Sequence, residues 1–202
     1  MEKILTSNKL KFIAFITMII DHFGYFFSEY LDPNIYIYFR IIGRIAMPIF
    51  VFLIVEGYIH TKDIKKYLLR LCLIALLTQV IITLESYFNI IILQKTLNLD
   101  GFLNIVFSFC LSIILIIMLD NKYQEKIKSN LLKIVIITII GLCYVFFPID
   151  YGFIVPAMAV AIYIIRKTVK SNNAYMLLML LAIIIPCLFE KKFGMFAIMA
   201  YP

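Results

Sequence analysis

Charge is what this 202-residue chain has least of. Asp, Glu, Lys and Arg make up 15% of it, against 64% hydrophobic residues. A soluble domain is about one-quarter charged and about half apolar. So few charges cannot cover so much apolar surface in water, which excludes a soluble globular protein and makes lipid the solvent. The mean hydropathy of +1.01 agrees.

Other absences narrow the class further. The four cysteines, Cys72, Cys110, Cys143 and Cys187, stand singly in apolar runs and form no CxxC pair. A metal centre or a disulfide framework is therefore not indicated, and the thiols read as small packing residues. No repeat, low-complexity tract or linker interrupts the chain, so a single transmembrane domain, 1–202, is expected. The first apolar run has no small-residue cleavage site behind it and carries Asp21 and His22, so a removable signal peptide is not expected. The net charge of +7 lies in short clusters with no continuous basic face, so nucleic acid is not an expected partner.

What is present is a series of apolar runs. A spanning helix takes about 17–25 such residues. The runs are Leu10–Ser28, Tyr36–Ile59, Tyr67–Leu84, Gly101–Leu119, Leu131–Phe147, Tyr151–Ile165 and Ala174–Phe189, with an eighth, Phe193–Tyr201, at the end of the sequence. The fifth and sixth are short and joined by PIDYG, which reads as a helical hairpin. The expected fold class is all-α: a polytopic transmembrane helix bundle of about seven complete spanning helices plus a truncated eighth. Most of the 13 Tyr and 18 Phe read as interface belts and packing.

The basic residues assign the sides. Lys3, Lys9 and Lys11, then Lys62, Lys65, Lys66 and Arg70, then Lys122, Lys126, Lys128 and Lys133, then Arg166, Lys167 and Lys170 fall on one side. The other side has only Lys95, Lys191 and Lys192. By the positive-inside rule the N-terminus is cytoplasmic, in a bacterial cytoplasmic (inner, or cell) membrane.

Against that apolar background, FITMIIDHFGYFF (Phe15–Phe27) carries two adjacent ionisable groups. An ionised side chain at mid-bilayer costs about 2.5–3.5 kcal/mol on insertion scales. Asp21 and His22 lie about 16 Å along their helix at 1.5 Å per residue, near the midplane. Arg40 and Arg44 are four apart and share a face of the next, antiparallel helix. The four groups can thus converge at one depth. Two readings stand: a buried polar site in which His22 exchanges a proton or forms a bond, or an Asp–Arg ion pair that fixes helix register. On a helix Asp21 points about 100° away from His22, towards a partner of its own or towards an arginine.

Further along, Glu56 sits near the inner end of the second run, with Lys62 or Arg70 as expected neighbours. Lys62, Lys66 and Arg70 in that basic loop either set topology alone or hold an anionic, phosphate-bearing ligand. His60 reads as a solvated loop residue. Asn104 and Ser108 share a face of the fourth helix, Gln79 is a polar anchor in the third, and Asp150, Tyr151 and Gly152 form the outer turn of the hairpin.

The segments LKFIAFITMIIDHFG and FRIIGRIAMPIFVFLIVEGYIHTKDIKKYLLRL, with LNIVFS (Leu103–Ser108) and DYGF (Asp150–Phe153), resemble the TraX family of bacterial membrane proteins. The resemblance runs from Leu10 to about Tyr201, and its IDHxG and RIIGRxAxPIFxFLxxEGxxHT patterns are long and specific. It implies acyl transfer: the family is named for a conjugation protein that N-acetylates pilin. It also resembles a wider group of multi-pass acyltransferases that includes the lysosomal heparan-α-glucosaminide N-acetyltransferase. These are taken to move an acetyl group from cytoplasmic acetyl-CoA to an acceptor on the far side.

Carried over by motif position, the resemblance puts the family's histidine at His22 and its aspartate at Asp21. Its arginines fall at Arg40 and Arg44, its glutamate at Glu56 and its asparagine at Asn104. Family members usually continue beyond the AYP-like segment into an NG-containing loop and a last helix with an FYPxH-type ending. The implied activity is acetyl transfer from acetyl-CoA to an amine or hydroxyl of a peptide or carbohydrate, with no metal. His22 would serve as general base or as acyl carrier, and Arg40, Arg44 or Asn104 as oxyanion stabiliser. Lys62, Lys66, Arg70, Glu56, Ser108 and Tyr151 are the candidate substrate contacts. The competing classes are a proton-coupled or small-solute transporter and a non-catalytic accessory membrane protein; no inverted internal symmetry of the transporter kind is visible.

Overall fold

The computed structural model describes residues 7–28, 30–93, 103–120, 130–147 and 149–189. The eighth apolar stretch, Phe193–Tyr201, lies outside them, as do Lys3, Lys95, Lys122, Lys126, Lys128, Lys191 and Lys192. The described residues are all helical but for turns and one isolated bridge, Leu103 to Ile149. The helices are α1 (Ser7–Phe26), α2 (Pro33–Arg44), α3 (Ala46–His60), α4 (Ile64–Leu93), α5 (Ile105–Leu119), α6 (Asn130–Phe146), α7 (Ile154–Thr168) and α8 (Asn172–Phe189).

Local chemistry sets the boundaries. Asp32 caps α2, its side chain accepting the Asn34 N–H at 2.9 Å, and Pro33 takes the first helical position, where its missing N–H costs nothing. The break at Ile45 follows from Pro48, whose ring clashes with the carbonyl of Arg44 four residues earlier. Despite that break, α2 and α3 run as one 28-residue rod, Pro33–His60. Asp63 opens α4 by accepting the Lys66 N–H at 3.1 Å, and Asn104 opens α5 by accepting the Val106 N–H at 3.0 Å. Ahead of α7, Tyr151 and Gly152 both take left-handed φ, +62° and +47°. That tight turn is held by Asp150, which accepts the Tyr151 N–H at 3.1 Å.

Among the described residues, two helices are long and apolar enough to cross a membrane, Pro33–His60 and Ile64–Leu84; α5 and α6 are shorter apolar helices. At 1.5 Å per residue the first two extend about 42 and 32 Å, against a hydrocarbon core of about 30 Å.

The chain divides into two compact units, 1–57 with 164–202, and 58–163. In the first, α1 and α2 form an antiparallel hairpin that closes on two glycines. A Cβ at Gly24 would fall 2.7 Å from Cβ of Phe39, and one at Gly43 would occupy the Asp21 side chain. In the second, α5 is the buried helix: Ser108, Phe109, Cys110, Ser112, Ile113 and Ile116 are all enclosed. Ile140 and Tyr144 of α6 and Ile149 pack against Leu111, Ile114 and Leu115 of α5. Large apolar side chains such as Phe12, Leu77, Leu131 and Met176 instead face outward. In water such a surface would drive aggregation; in a bilayer it is the solvated face.

Candidate functional site

The α1–α2 hairpin positions the first group of site residues. The Asp21 carboxylate accepts from Nη1 of Arg40 at 2.9 Å, with side chains 16% and 24% exposed. Their encounter is a consequence of Gly43, since only a residue without a Cβ leaves room for Asp21 against α2. The Arg40 guanidinium also lies over the Tyr25 ring, 5.8 Å from its centroid. The second carboxylate oxygen, Oδ1, is buried with no hydrogen-bond partner among the described residues. Arg44 closes α2 half-buried.

His22 belongs to a different face. Its Nδ1 lies 2.8 Å from the Met18 carbonyl oxygen one turn earlier. A carbonyl only accepts, so Nδ1 carries the proton in the neutral ring and Nε2 keeps its lone pair. The ring lines an open groove of about 290 Å³ with Met18, Ile19, Phe23, Phe26 and Phe27. The helical offset anticipated from sequence is thus realised: Asp21 turns to Arg40 and His22 turns away from that pair.

At the far end of α3, Arg166 grips Glu56 with both edges of its fork. Nε donates to Oε1, and Nη2 donates to Oε2 at 2.9 Å. The guanidinium stands 5.8 Å from the centroid of the Tyr175 ring. The Glu56 carboxylate, by hydrogen bond and by charge, raises the Arg166 pKa above its ordinary value. Lys62 and Arg70, the neighbours expected for Glu56, are exposed, as are His60 and Lys66. The Lys66 ammonium sits 3.5 Å from Asp63. Sequence reading assigned Arg166 to topology; a lone arginine after an apolar run carries no signal that its partner lies 110 positions earlier.

In the second unit Asn104 does three tasks with one amide. Its Oδ1 caps α5, while Nδ2 donates to the Ala75 carbonyl at 2.8 Å and to Oε1 of Gln79 at 3.0 Å. Gln79 also accepts the Asn104 backbone N–H at 2.9 Å. Both amide hydrogens of Asn104 are therefore engaged in joining α4 to α5. One turn on, the fully buried Ser108 shares a 2.6 Å hydrogen bond with the Tyr144 hydroxyl. Tyr151 holds the strained turn ahead of α7. A pair that sequence reading passed over is Tyr58 and Asp120. The Tyr58 hydroxyl donates to the buried Asp120 carboxylate at 2.8 Å, with Tyr163 edge-on to Tyr58 at 5.8 Å. The aspartate closing the apolar run of α5 was the signal available.

The family described as TraX protein matches residues 6–201. Among curated proteins the chain is similar to the "Probable fimbrial assembly protein FimC, serogroup H1" of Dichelobacter nodosus, 27% identical over 132 residues. That match takes in 63% of this chain and 52% of the relative, so the chain spans about half the relative's length. No solved structure matches. With a family match over nearly its whole length and an apolar, helical make-up, the chain is a membrane protein of the TraX family.

Proposed function

We propose that this protein is an integral-membrane acyltransferase that moves an acetyl group from cytoplasmic acetyl-CoA to an amine or hydroxyl at the outer side of the membrane. The proposal includes about seven spanning helices with a cytoplasmic N-terminus in the bacterial cytoplasmic membrane. The observation that carries it is the 2.8 Å contact of His22 Nδ1 with the Met18 carbonyl oxygen, which selects the tautomer of the neutral ring. With Nδ1–H committed to Met18, the neutral ring presents Nε2 as a base within an apolar span. That is the form a proton acceptor or acyl carrier must hold.

In the direct route, Nε2 takes the proton of the acceptor as its nitrogen or oxygen attacks the thioester carbonyl. The tetrahedral oxyanion then collapses, the carbon–sulfur bond breaks, and the imidazolium returns the proton to the departing thiolate. In the two-step route Nε2 attacks the thioester carbonyl and the carbon–sulfur bond breaks to release the thiolate. The acceptor's nitrogen or oxygen then displaces Nε2 from the acetyl carbon, its proton going to the released thiolate. Arg44, half-buried at the end of α2, supplies positive charge for the oxyanion, whereas Arg40 is held by Asp21 on a face away from His22. Asn104, whose amide hydrogens are engaged in helix packing, serves the fold of its own unit. Lys62, Lys66 and Arg70, free of apolar cover at the inner end, suit the donor's phosphates. The relative named for fimbrial assembly favours a peptide N-terminus of a surface subunit over a carbohydrate.

The test is acetyl-CoA-dependent labelling of an amine-bearing peptide by the purified protein and by His22→Ala. A general base contributes about 10²- to 10⁴-fold, so a loss of at least about 100-fold is expected. Equal labelling by both proteins would remove His22 from the chemistry. Solute uptake into proteoliposomes without acetyl-CoA would replace the enzyme with a carrier.

A further inference from the structure

We propose that Cys72 and Cys110 are an oxidant-sensitive thiol pair that closes to a disulfide between α4 and α5 inside the membrane. Their sulfurs are 3.6 Å apart, with the Cys72 thiol donating to Cys110 Sγ. Both are free thiols, Cys110 buried and Cys72 half-buried. Nothing fits between two sulfurs at that separation. A disulfide needs about 2.05 Å, so rotation of the two side chains with a small shift of the helices closes the gap. The sequence gives no hint of this, since 38 positions separate the two residues and neither belongs to a CxxC pair.

Depth makes the pair chemically distinctive. Cys72 lies about 12 Å along α4 from Ile64 at 1.5 Å per residue, within the Ile64–Leu84 span. A small neutral hydroperoxide enters hydrocarbon, whereas glutathione, which carries several charges, is excluded from it. Oxidation is thus accessible there while the usual polar reductant is not, which distinguishes this pair from thiols facing the cytoplasm.

The chemistry balances with hydrogen peroxide as oxidant. The more accessible Cys72 sulfur attacks the O–O bond, loses its proton, and becomes a sulfenic acid as one water leaves. Cys110 sulfur then displaces the sulfenic hydroxyl, and its own proton departs with that hydroxyl as a second water. Two thiols and one peroxide give one disulfide and two waters. The product ties α4 to α5 about two helical turns from the Asn104–Gln79 contact that already joins them.

The experiment treats the full chain in lipid nanodiscs with hydrogen peroxide, blocks remaining thiols with maleimide, and digests it for mass spectrometry. The expected result is a Cys72 peptide joined to a Cys110 peptide and two hydrogens lighter than the sum, while Cys143 alkylates normally. Cys72→Ser and Cys110→Ser should each abolish the joined species. Alkylation of all four thiols at one rate after peroxide, or joining between different chains, overturns the proposal. Glutathione should leave the bond intact where a lipid-soluble phosphine opens it. Equal opening by both reductants overturns the intramembrane placement. The readout on unsubstituted protein does not depend on how the serine variants fold, nor on whether the protein is an acyltransferase.

Discussion

An aspartate and an arginine at one depth in an apolar hairpin have no cheap alternative to each other. Asp21 and Arg40 are largely enclosed, so truncating one strands the other's charge. Breaking a buried pair costs about 3–5 kcal/mol, whereas removing both partners costs much less. Arg40→Ala should therefore lower the thermal stability of the purified protein more than Asp21→Ala/Arg40→Ala does. A double variant less stable than either single would show that the pair stabilises through something other than mutual neutralisation. His22 belongs to another face, so the same Arg40→Ala change should leave the Nδ1–H tautomer of His22 unaltered by ¹⁵N NMR. The residue scale is also where sequence was most informative. An ionisable pair in an apolar run announces itself, and a one-residue step on a helix separates the two roles. The partner of Asp21 was open between two arginines four apart, because a shared helix face does not say which of them meets the carboxylate.

At the scale of elements, the hairpin depends on backbone proximity at Gly24 and Gly43. Gly43→Ala should displace Asp21 and weaken both folding and the Arg40 contact, and Gly24→Ala must push Phe39 aside. By contrast, a Cβ at Gly141 of α6 meets nothing within 4 Å. There alanine should stabilise by about 0.5–1 kcal/mol, because glycine has the larger entropy to lose in a helix. Melting curves of the three variants check the order Gly141→Ala above the parent and Gly43→Ala lowest. Helix positions were largely legible from the apolar runs, whereas the caps Asp32, Asp63 and Asn104 were not read as caps. The break at Ile45 was carried by Pro48 but had been absorbed into one apolar run, since hydropathy is blind to a missing N–H.

At the scale of the whole molecule, the ion pair of Glu56 with Arg166 joins segments 110 positions apart. Reversing one charge should destabilise the protein. Glu56→Arg combined with Arg166→Glu should restore much of that stability, as measured by the fraction surviving detergent extraction at raised temperature. No recovery in the doubly reversed protein would mean that Tyr175 or the surroundings require the native polarity. Topology belongs to this scale too. Reporter fusions after Lys66 and after Lys170 are expected to read cytoplasmic, and one after Tyr151 external.

Composition and the spacing of apolar runs were enough to fix the solvent, the helical class and the most conspicuous candidates, because burial in lipid is a property each segment carries by itself. Pairing is not such a property. That Asp21 takes Arg40, that Glu56 takes Arg166, that Asn104 spends its amide on Gln79 and Ala75, and that two solitary cysteines touch were all decided by the tertiary structure. Each needs the distance between groups far apart in the chain, and no local pattern encodes that distance.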